Sequence, residues 1–289
     1  MDAILITGPT ASGKSAYALD LADRHGGVVI NADSMQVYDT LQVLTARPSL
    51  SDIRDIPHFL YGHVPAAARY STGDWLRDMK SLIDRVRQQG QVPVIVGGTG
   101  LYFKALTGGL SDMPEIADDV RGPLRAMMAA DGPEAMHALL RQRDPVMAQK
   151  LNAQDSQRIL RALEVVTATG RSIADFQGTA GEMIIDPARA QKHIVLPERP
   201  VLYGRINRRF EVMLDQGAVE EVEALLRLDL SPAMPVMRAI GVSQIAAMLK
   251  GEMTRSEVIE KASTATRQYA KRQMTWFRNQ MDDSWQRMG

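Results

Sequence analysis

Between an apolar run, Ala3-Ile4-Leu5-Ile6-Thr7, and a helical pattern lies Gly8-Pro9-Thr10-Ala11-Ser12-Gly13-Lys14-Ser15, which fits G-x-x-x-x-G-K-[ST]. Glycines at both ends let the backbone turn tightly and aim successive N–H groups inward, where they and the N-terminus of the next helix meet phosphate oxygens. Lys14 adds a point charge, and the Ser15 hydroxyl is a candidate ligand for a Mg²⁺ ion bridging the phosphates. The spacing predicts a diphosphate cradle but does not reveal which molecule owns the phosphates. Two more motifs follow apolar runs. Asp33-Ser34-Met35-Gln36-Val37-Tyr38 comes after Val28-Val29-Ile30, and Gly97-Gly98-Thr99-Gly100-Leu101-Tyr102 comes after Pro93-Val94-Ile95-Val96. Asp33 suits a water-bridged metal contact, a general base or a turn cap. The paired glycines before Thr99 suit a close backbone approach to a ligand. A run that ends in Gly-Gly-Thr, where a phosphotransferase would carry a metal-ordering acid, shifts weight from nucleotide hydrolysis to a site where diphosphate leaves.

The elements that must hold these motifs follow from hydrophobic period. A helix is expected from about Lys14 to His25. Another runs from Thr72 to Gln89, with Trp75, Leu76, Met79, Leu82, Ile83 and Val86 on one face. Further strands are expected at 93–96 and 193–196. Continuous apolar strands alternating with amphipathic helices imply a doubly wound parallel sheet of the α/β class, whose ligands bind beyond the carboxyl ends of the strands. The strand of Asp33 is expected to neighbour the phosphate cradle. From about Met113 to Asp186 the strand signal vanishes, and helical stretches are interrupted at Gly132-Pro133, Asp144-Pro145 and Gly170. The expected organisation is therefore a core domain of residues 1–112 and 187–289 with a helical insertion domain at 113–186. After Pro200, helices are expected at 203–228, 243–249 and 255–280.

With 289 residues, 45% hydrophobic and 24% charged, the chain can bury a sizeable core. No apolar run reaches the ~20 residues that span a bilayer, and the chain opens on the strand and loop without a basic leader, so a cytoplasmic protein with no membrane partner is expected. The absence of cysteine excludes disulfides and thiolate chemistry, and the five histidines lack metal-ligand spacing. Charge balances at 34 basic against 34 acidic residues, but Arg199, Arg205, Arg208 and Arg209 cluster, as do Arg267, Lys271, Arg272 and Arg278.

Taken in order, the phosphate loop, Asp33 to Tyr38, Thr45-Ala46-Arg47-Pro48, Pro57-His58, Gly97 to Leu106, Asp155 to Glu164 (DSQRILRALE), Arg205 to Phe210, Arg238-Ala239-Ile240-Gly241 and Thr266 to Arg278 resemble the bacterial tRNA dimethylallyltransferases, also called tRNA isopentenyltransferases. The resemblance implies transfer of a dimethylallyl group from dimethylallyl diphosphate to the N6 amine of the adenosine immediately 3′ of the anticodon, with Mg²⁺ as cofactor and the protein a monomer. It implies that Gly8, Thr10, Ala11, Ser12, Gly13, Lys14, Ser15 and Arg208 bind the diphosphate, with Ser15 on the metal. Asp33 would accept the proton of the amine, with Thr99 and Arg121 at the target nucleotide near the reacting centre. Asp33, Ser34, Met35 and Gln36, with Gln157, Arg158, Ile159, Leu160 and Arg161, would face the tRNA, and Arg267, Lys271 and Arg272 would add phosphate contacts. Trp276 and Phe277 are read as core packing. Arg47 and Val242 depart from residues common in the family, Lys and Tyr. Three other readings stay open at this point: a small-metabolite kinase, a prenyltransferase acting on free adenylate, and a non-catalytic RNA-binding protein.

Overall fold

The computed structural model describes residues 1–111, 113–177 and 181–289, and it divides into two compact units, 1–107 with 183–289 and 108–182. The expected insertion bounds lie a few residues later at each end. At the second junction the reason is visible: the Ile184 and Ile185 amides both donate to the Leu106 carbonyl at 3.1 Å, and Ile185 is buried in the core of the first unit. Residue 112, the expected end of the first core segment, and residues 178–180 of the expected insertion lie outside the described residues.

The first unit is built on six parallel strands: β1 (Ala3–Thr7), β2 (Gly27–Asn31), β3 (His58–Phe59), β4 (Val92–Gly97), β5 (Ala190–Val195) and β6 (Gln286–Met288). Their order across the sheet is β3-β2-β4-β1-β5-β6. This is the expected doubly wound α/β architecture. One detail differs: β4 lies between β1 and β2, pairing Ile4 with Val94 and Val29 with Val94, so the strands of the phosphate loop and of Asp33 are not hydrogen-bonded neighbours. The short edge strands β3 and β6 were not legible, because two or three residues carry no hydrophobic period.

Alternation along β1 shows why both sheet faces are covered. Ala3 and Leu5 join Val28, Ile30 and Ile95 on one face, while Ile4 and Ile6 join Val29, Val94 and Val96 on the other. Helix α1 (Lys14–His25) packs Ala18, Leu21 and Ala22 on the second face. The first face receives α2 (Thr72–Gln88), whose Trp75, Met79, Leu82, Ile83 and Val86 recur at helical spacing, each burial contributing about 1.5–3 kcal/mol. A reciprocal Ser71–Asp74 capping box starts α2. Tyr102 and Phe103 of α3 (Gly100–Gly108) complete this layer, with the Trp75 and Tyr102 rings stacked at 4.2 Å.

The second unit holds α4 (Asp118–Arg143), α5 (Pro145–Lys150), α6 (Ser156–Thr169) and α7 (Ile173–Gln177) around Leu124, Met136, Leu140, Ile159, Leu163 and Val165. Its helices break where expected: Gly132 leaves helical geometry inside α4, Asp144 caps α5 through the Met147 amide, and Gly170 ends α6. Back in the first unit, one helix expected over 203–228 is instead α8 (Arg199–Asp215) and α9 (Ala218–Leu226), because Gly217 turns to φ 108°. Helix α10 (Val242–Leu249) and the long α11 (Arg255–Gln280) follow. Val242 is buried among apolar side chains rather than surface-facing.

At Gly97 the end of β4 runs so close to Ala32 that a Cβ would overlap the Ala32 carbonyl group. Gly97→Ala is expected to cost about 1–3 kcal/mol through this backbone clash, read as a lower thermal midpoint with unchanged far-ultraviolet circular dichroism.

Candidate active site

The phosphate loop closes before α1 begins. The Ser12 amide donates to the Pro9 carbonyl at 3.2 Å, and Ala11 and Gly13 adopt φ 64° and 94°. Left-handed residues alternating with right-handed ones turn successive amides toward one concavity. Gly13 caps α1 without a side chain, so the amides of the first helical turn are left to an anion. Thr10, Ala11, Ser12, Gly13, Lys14 and Ser15 line a cavity of about 610 Å³ together with Asp33, Gln36, Thr45, Arg205, Arg208 and Arg209. A second cavity of about 810 Å³ shares Ser15, Ala46, Arg209 and Val212 with it.

Charge in this cavity is partly withdrawn from water. Lys14 Nζ donates to the Pro9 carbonyl at 3.2 Å. Burial lowers its amine to about 8, opposed by Asp33 and assisted by Arg209. Helix α8 carries Arg205, Arg208 and Arg209 on one flank by i, i+3 and i+4 spacing. Arg205 donates to the Ser12 carbonyl at 3.2 Å, and Arg209 donates to Thr10 Oγ1 at 2.6 Å. Burial lowers the Arg209 guanidinium while Asp33 opposes the shift. Arg208, the arginine expected on the diphosphate, lines the cavity but is exposed. The sequence shows three arginines on one flank; only packing singles out Arg209.

Asp33 sits on a built turn. The Asn31 side chain accepts the Asp33 amide at 2.8 Å and donates to the carbonyls of Asp33 and Leu60, both at 3.0 Å. Asp33 Oδ1 accepts the Met35 amide at 2.9 Å. Trp75 Nε1 donates to the Asn31 carbonyl at 2.9 Å, so the helix packed on the sheet also steadies this turn. Burial and then the Asp33 charge raise the phenols of Tyr61, Tyr102 and Tyr269 well above their ordinary range, keeping them neutral hydrogen-bonding groups. Thr99 Oγ1 accepts the Ser34 amide at 3.0 Å, joining the ends of β2 and β4. Gln36 spends its side-chain amide on the carbonyls of Thr45 and Ala46, both at 2.9 Å. Arg47 likewise turns inward on its own loop, donating to the Asp39 carbonyl at 3.0 Å.

In the second unit three arginines surround the buried Glu164: Arg121 Nε at 3.9 Å, Arg125 Nε at 3.8 Å and Arg161 Nη1 at 3.5 Å. Gln157 is exposed, and Arg158 is exposed and paired to Asp155 at 3.3 Å. Ile159 is different. Its side chain is buried in the core of the unit and Leu160 is half-buried, so a side-chain contact with a ligand is open to Gln157, Arg158 and Arg161 but not to Ile159. Arg125 and Glu164 carried no separate signal in sequence. On α11, Phe277 is buried and Trp276 is half-buried against Gly100, in keeping with the core-packing reading. Arg267 is tied to Asn207 and Thr264, while Lys271 and Arg272 are exposed. Among the described residues no three acidic or histidine side chains form a metal cluster, and no helix is long and apolar enough to cross a membrane.

A parallel sheet whose first strand feeds a loop of converging amides, with a carboxylate and a half-buried arginine lining the same cavity, defines a P-loop enzyme. The IPP transferase family model matches residues 36–280, an isopentenyl transferase model matches residues 1–60, and the chain belongs to the IPP transferase family. It is 67% identical over 288 residues to the tRNA dimethylallyltransferase of Rhizobium johnstonii, spanning 100% of this chain and 97% of the relative. Over 287 residues it is 68% identical to the tRNA dimethylallyltransferase of Agrobacterium fabrum, spanning 99% and 96%. The crystal structure of a tRNA isopentenylpyrophosphate transferase from Bacillus halodurans superposes with a TM-score of 0.69 at 32% identity, covering 100% of this chain and 90% of that one. A eukaryotic dimethylallyltransferase acting on tRNA gives 0.78 at 27%, covering 95% and 69%.

Two outcomes follow from the charge geometry. Arg209→Ala is expected to weaken inorganic pyrophosphate binding about tenfold or more, the scale of a lost charge-assisted hydrogen bond, while Arg208→Ala changes it less than about threefold by calorimetry. Below about pH 8 the empty site holds an ammonium at Lys14; above it the neutral amine must take up a proton when an anion binds. The advantage of the wild type over Lys14→Met in pyrophosphate affinity should therefore shrink as pH rises past about 8, by up to about tenfold per unit.

Proposed function

We propose that this chain transfers a dimethylallyl group from dimethylallyl diphosphate to the N6 amine of the adenosine immediately 3′ of the anticodon in tRNA, releasing diphosphate. The observation that carries it is the meeting of an anion cradle, half-buried Lys14 and Arg209, and a pre-set Asp33 in one cavity. In the transfer the allylic C–O bond breaks, its electron pair leaves with the diphosphate, and the amine nitrogen forms the new bond to carbon. Lys14, Arg209 and the loop amides stabilise charge growing on the leaving oxygens in a partly desolvated place, where each interaction is stronger than in water. The adenine amine is a weak nucleophile because its lone pair is conjugated into the ring. Asp33 accepts its proton as the bond forms, and placement of the amine matters more than basicity.

The donor set at the cradle is hard oxygen: the Ser15 hydroxyl, Asp33 and the phosphates themselves, which suits Mg²⁺ with water completing the shell. When bound, the ion would spread the negative charge of the diphosphate. A stacked loop hides the amine, so the target base must be extruded before it reacts. Thr99 and Ser34 sit beside Asp33 for the acceptor nucleotide, and Arg121, Arg125, Gln157, Arg158 and Arg161 supply backbone contacts from the helical unit. We place the enzyme in the cytoplasm as a monomer.

Purified protein with labelled dimethylallyl diphosphate is expected to label an unmodified anticodon stem-loop and leave AMP unlabelled. Labelling of AMP in its stead would assign the acceptor to free nucleotides. Asp33→Ala should retain stem-loop binding while slowing transfer by at least about 10²-fold, whereas parallel loss of both would make Asp33 structural.

A further inference from the structure

The proposed reaction has two partners on two loops, and one buried amide touches both loops. Gln273 of α11 is 6% exposed. Its Oε1 accepts the Thr10 amide of the phosphate loop at 3.0 Å, and its Nε2 donates to the Gly98 carbonyl at 2.9 Å. Gly98 precedes Thr99, whose hydroxyl holds the Ser34 amide next to Asp33. An unbroken path therefore runs from the donor cradle through Thr10, Gln273, Gly98 and Thr99 to the loop of the general base. The Thr10 amide is thereby engaged by protein, which changes its expected part: the amide anchors the cradle instead of meeting phosphate, while the hydroxyl accepts from Arg209 and keeps its proton to donate.

Chemistry restricts what can stand at this position. The two loops present one N–H and one carbonyl, and a primary amide offers one acceptor and one donor at the end of a side chain of this length. A glutamate would set an oxygen against the Gly98 carbonyl, and methionine would satisfy neither loop. Gly98 is fitted to the same contact, since a Cβ there would overlap Gln273 Nε2. Buried groups left unpaired are costly, so each loop is driven to the geometry that keeps the amide satisfied.

Resting on the transfer reaction above, we propose that Gln273 is a positioning residue that sets the distance between the leaving diphosphate and the acceptor amine by tying the phosphate loop to the Gly98–Thr99 turn. It touches neither substrate, so its loss is expressed in turnover rather than in either affinity. Misplacement of reacting groups by about 1 Å can cost ~10²-fold, which bounds the effect.

The experiment compares the wild type with Gln273→Met, Gln273→Glu and Gly98→Ala, with kcat referred to folded protein. Expected is a drop in kcat of about 10- to 100-fold for Gln273→Met, with KM for dimethylallyl diphosphate and Kd for the stem-loop within about threefold. Gly98→Ala should follow the same pattern with the glutamine intact, and Gln273→Glu, which keeps the Thr10 bond, should fall between wild type and Gln273→Met. Unchanged kcat in Gln273→Met, or a loss confined to KM, overturns the proposal. A second readout needs no prenyl transfer: inorganic pyrophosphate should slow amide hydrogen exchange at Ser34 in the wild type and not in Gln273→Met. No slowing in the wild type, or equal slowing in both, overturns the coupling. Coupling in a wild type that transfers no prenyl group would refute the reaction and leave the bridge standing.

Discussion

Two half-buried cations facing one carboxylate are the constraint on which the site depends. Partial burial lowers the pKa of both Lys14 and Arg209, and Asp33 is the charge common to both that opposes the shift. Desolvating such groups is expensive unless hydrogen bonds and opposite charge offset it. The Pro9 carbonyl and the Thr10 hydroxyl supply the bonds, but the charge count stays positive until an anion enters. A loop of converging amides then makes a polyanion the natural occupant. Partial desolvation that lowers the pKa of the two cations is the same property that strengthens their hold on a departing diphosphate. The sheet exists, in this sense, to bring three strand ends within reach of one cavity: β1 carries the cradle, β2 the carboxylate, and β4 between them the Gly-Gly-Thr turn that joins them.

The helical unit solves a different electrostatic problem. Three arginines share Glu164, which is itself buried, so the cluster keeps an excess of positive charge while its guanidinium groups are held by a common anchor. Fixed arginines lose less freedom on meeting a phosphate backbone than free ones. Arg158, exposed and paired among the described residues to Asp155 one turn away, carries no such buried anchor.

The legible parts of this chain were those written in local pattern. The phosphate loop, α1 and α11 with their bounds, the four long strands and the breaks at Gly132, Asp144 and Gly170 each follow from spacing or from a residue with restricted backbone geometry. Residues whose role depends on distant contacts were not legible. Arg208 and Arg209 are adjacent in sequence, and 100° of helical rotation separates an exposed side chain from a half-buried one. Asn31 and Gln273 look like any polar residue at a strand end or on a long helix, yet each satisfies both a backbone N–H and a backbone carbonyl and ties two segments together. Ile159 shows the reverse: a residue carried by motif resemblance into a contact list is, by its place on α6, part of the core. Even the position of β4 between β1 and β2 needs the pairing of segments more than sixty residues apart, which no short window contains.

The central claim is that the cradle holds a leaving group and not a consumed nucleoside triphosphate. Its most direct test measures pyrophosphate release and prenyl incorporation together, in a reaction of protein, Mg²⁺, dimethylallyl diphosphate and unmodified tRNA without ATP. The account predicts equimolar pyrophosphate and prenylated adenosine over the whole time course. Prenylation that requires ATP, or orthophosphate from ATP hydrolysis in place of pyrophosphate, would contradict it.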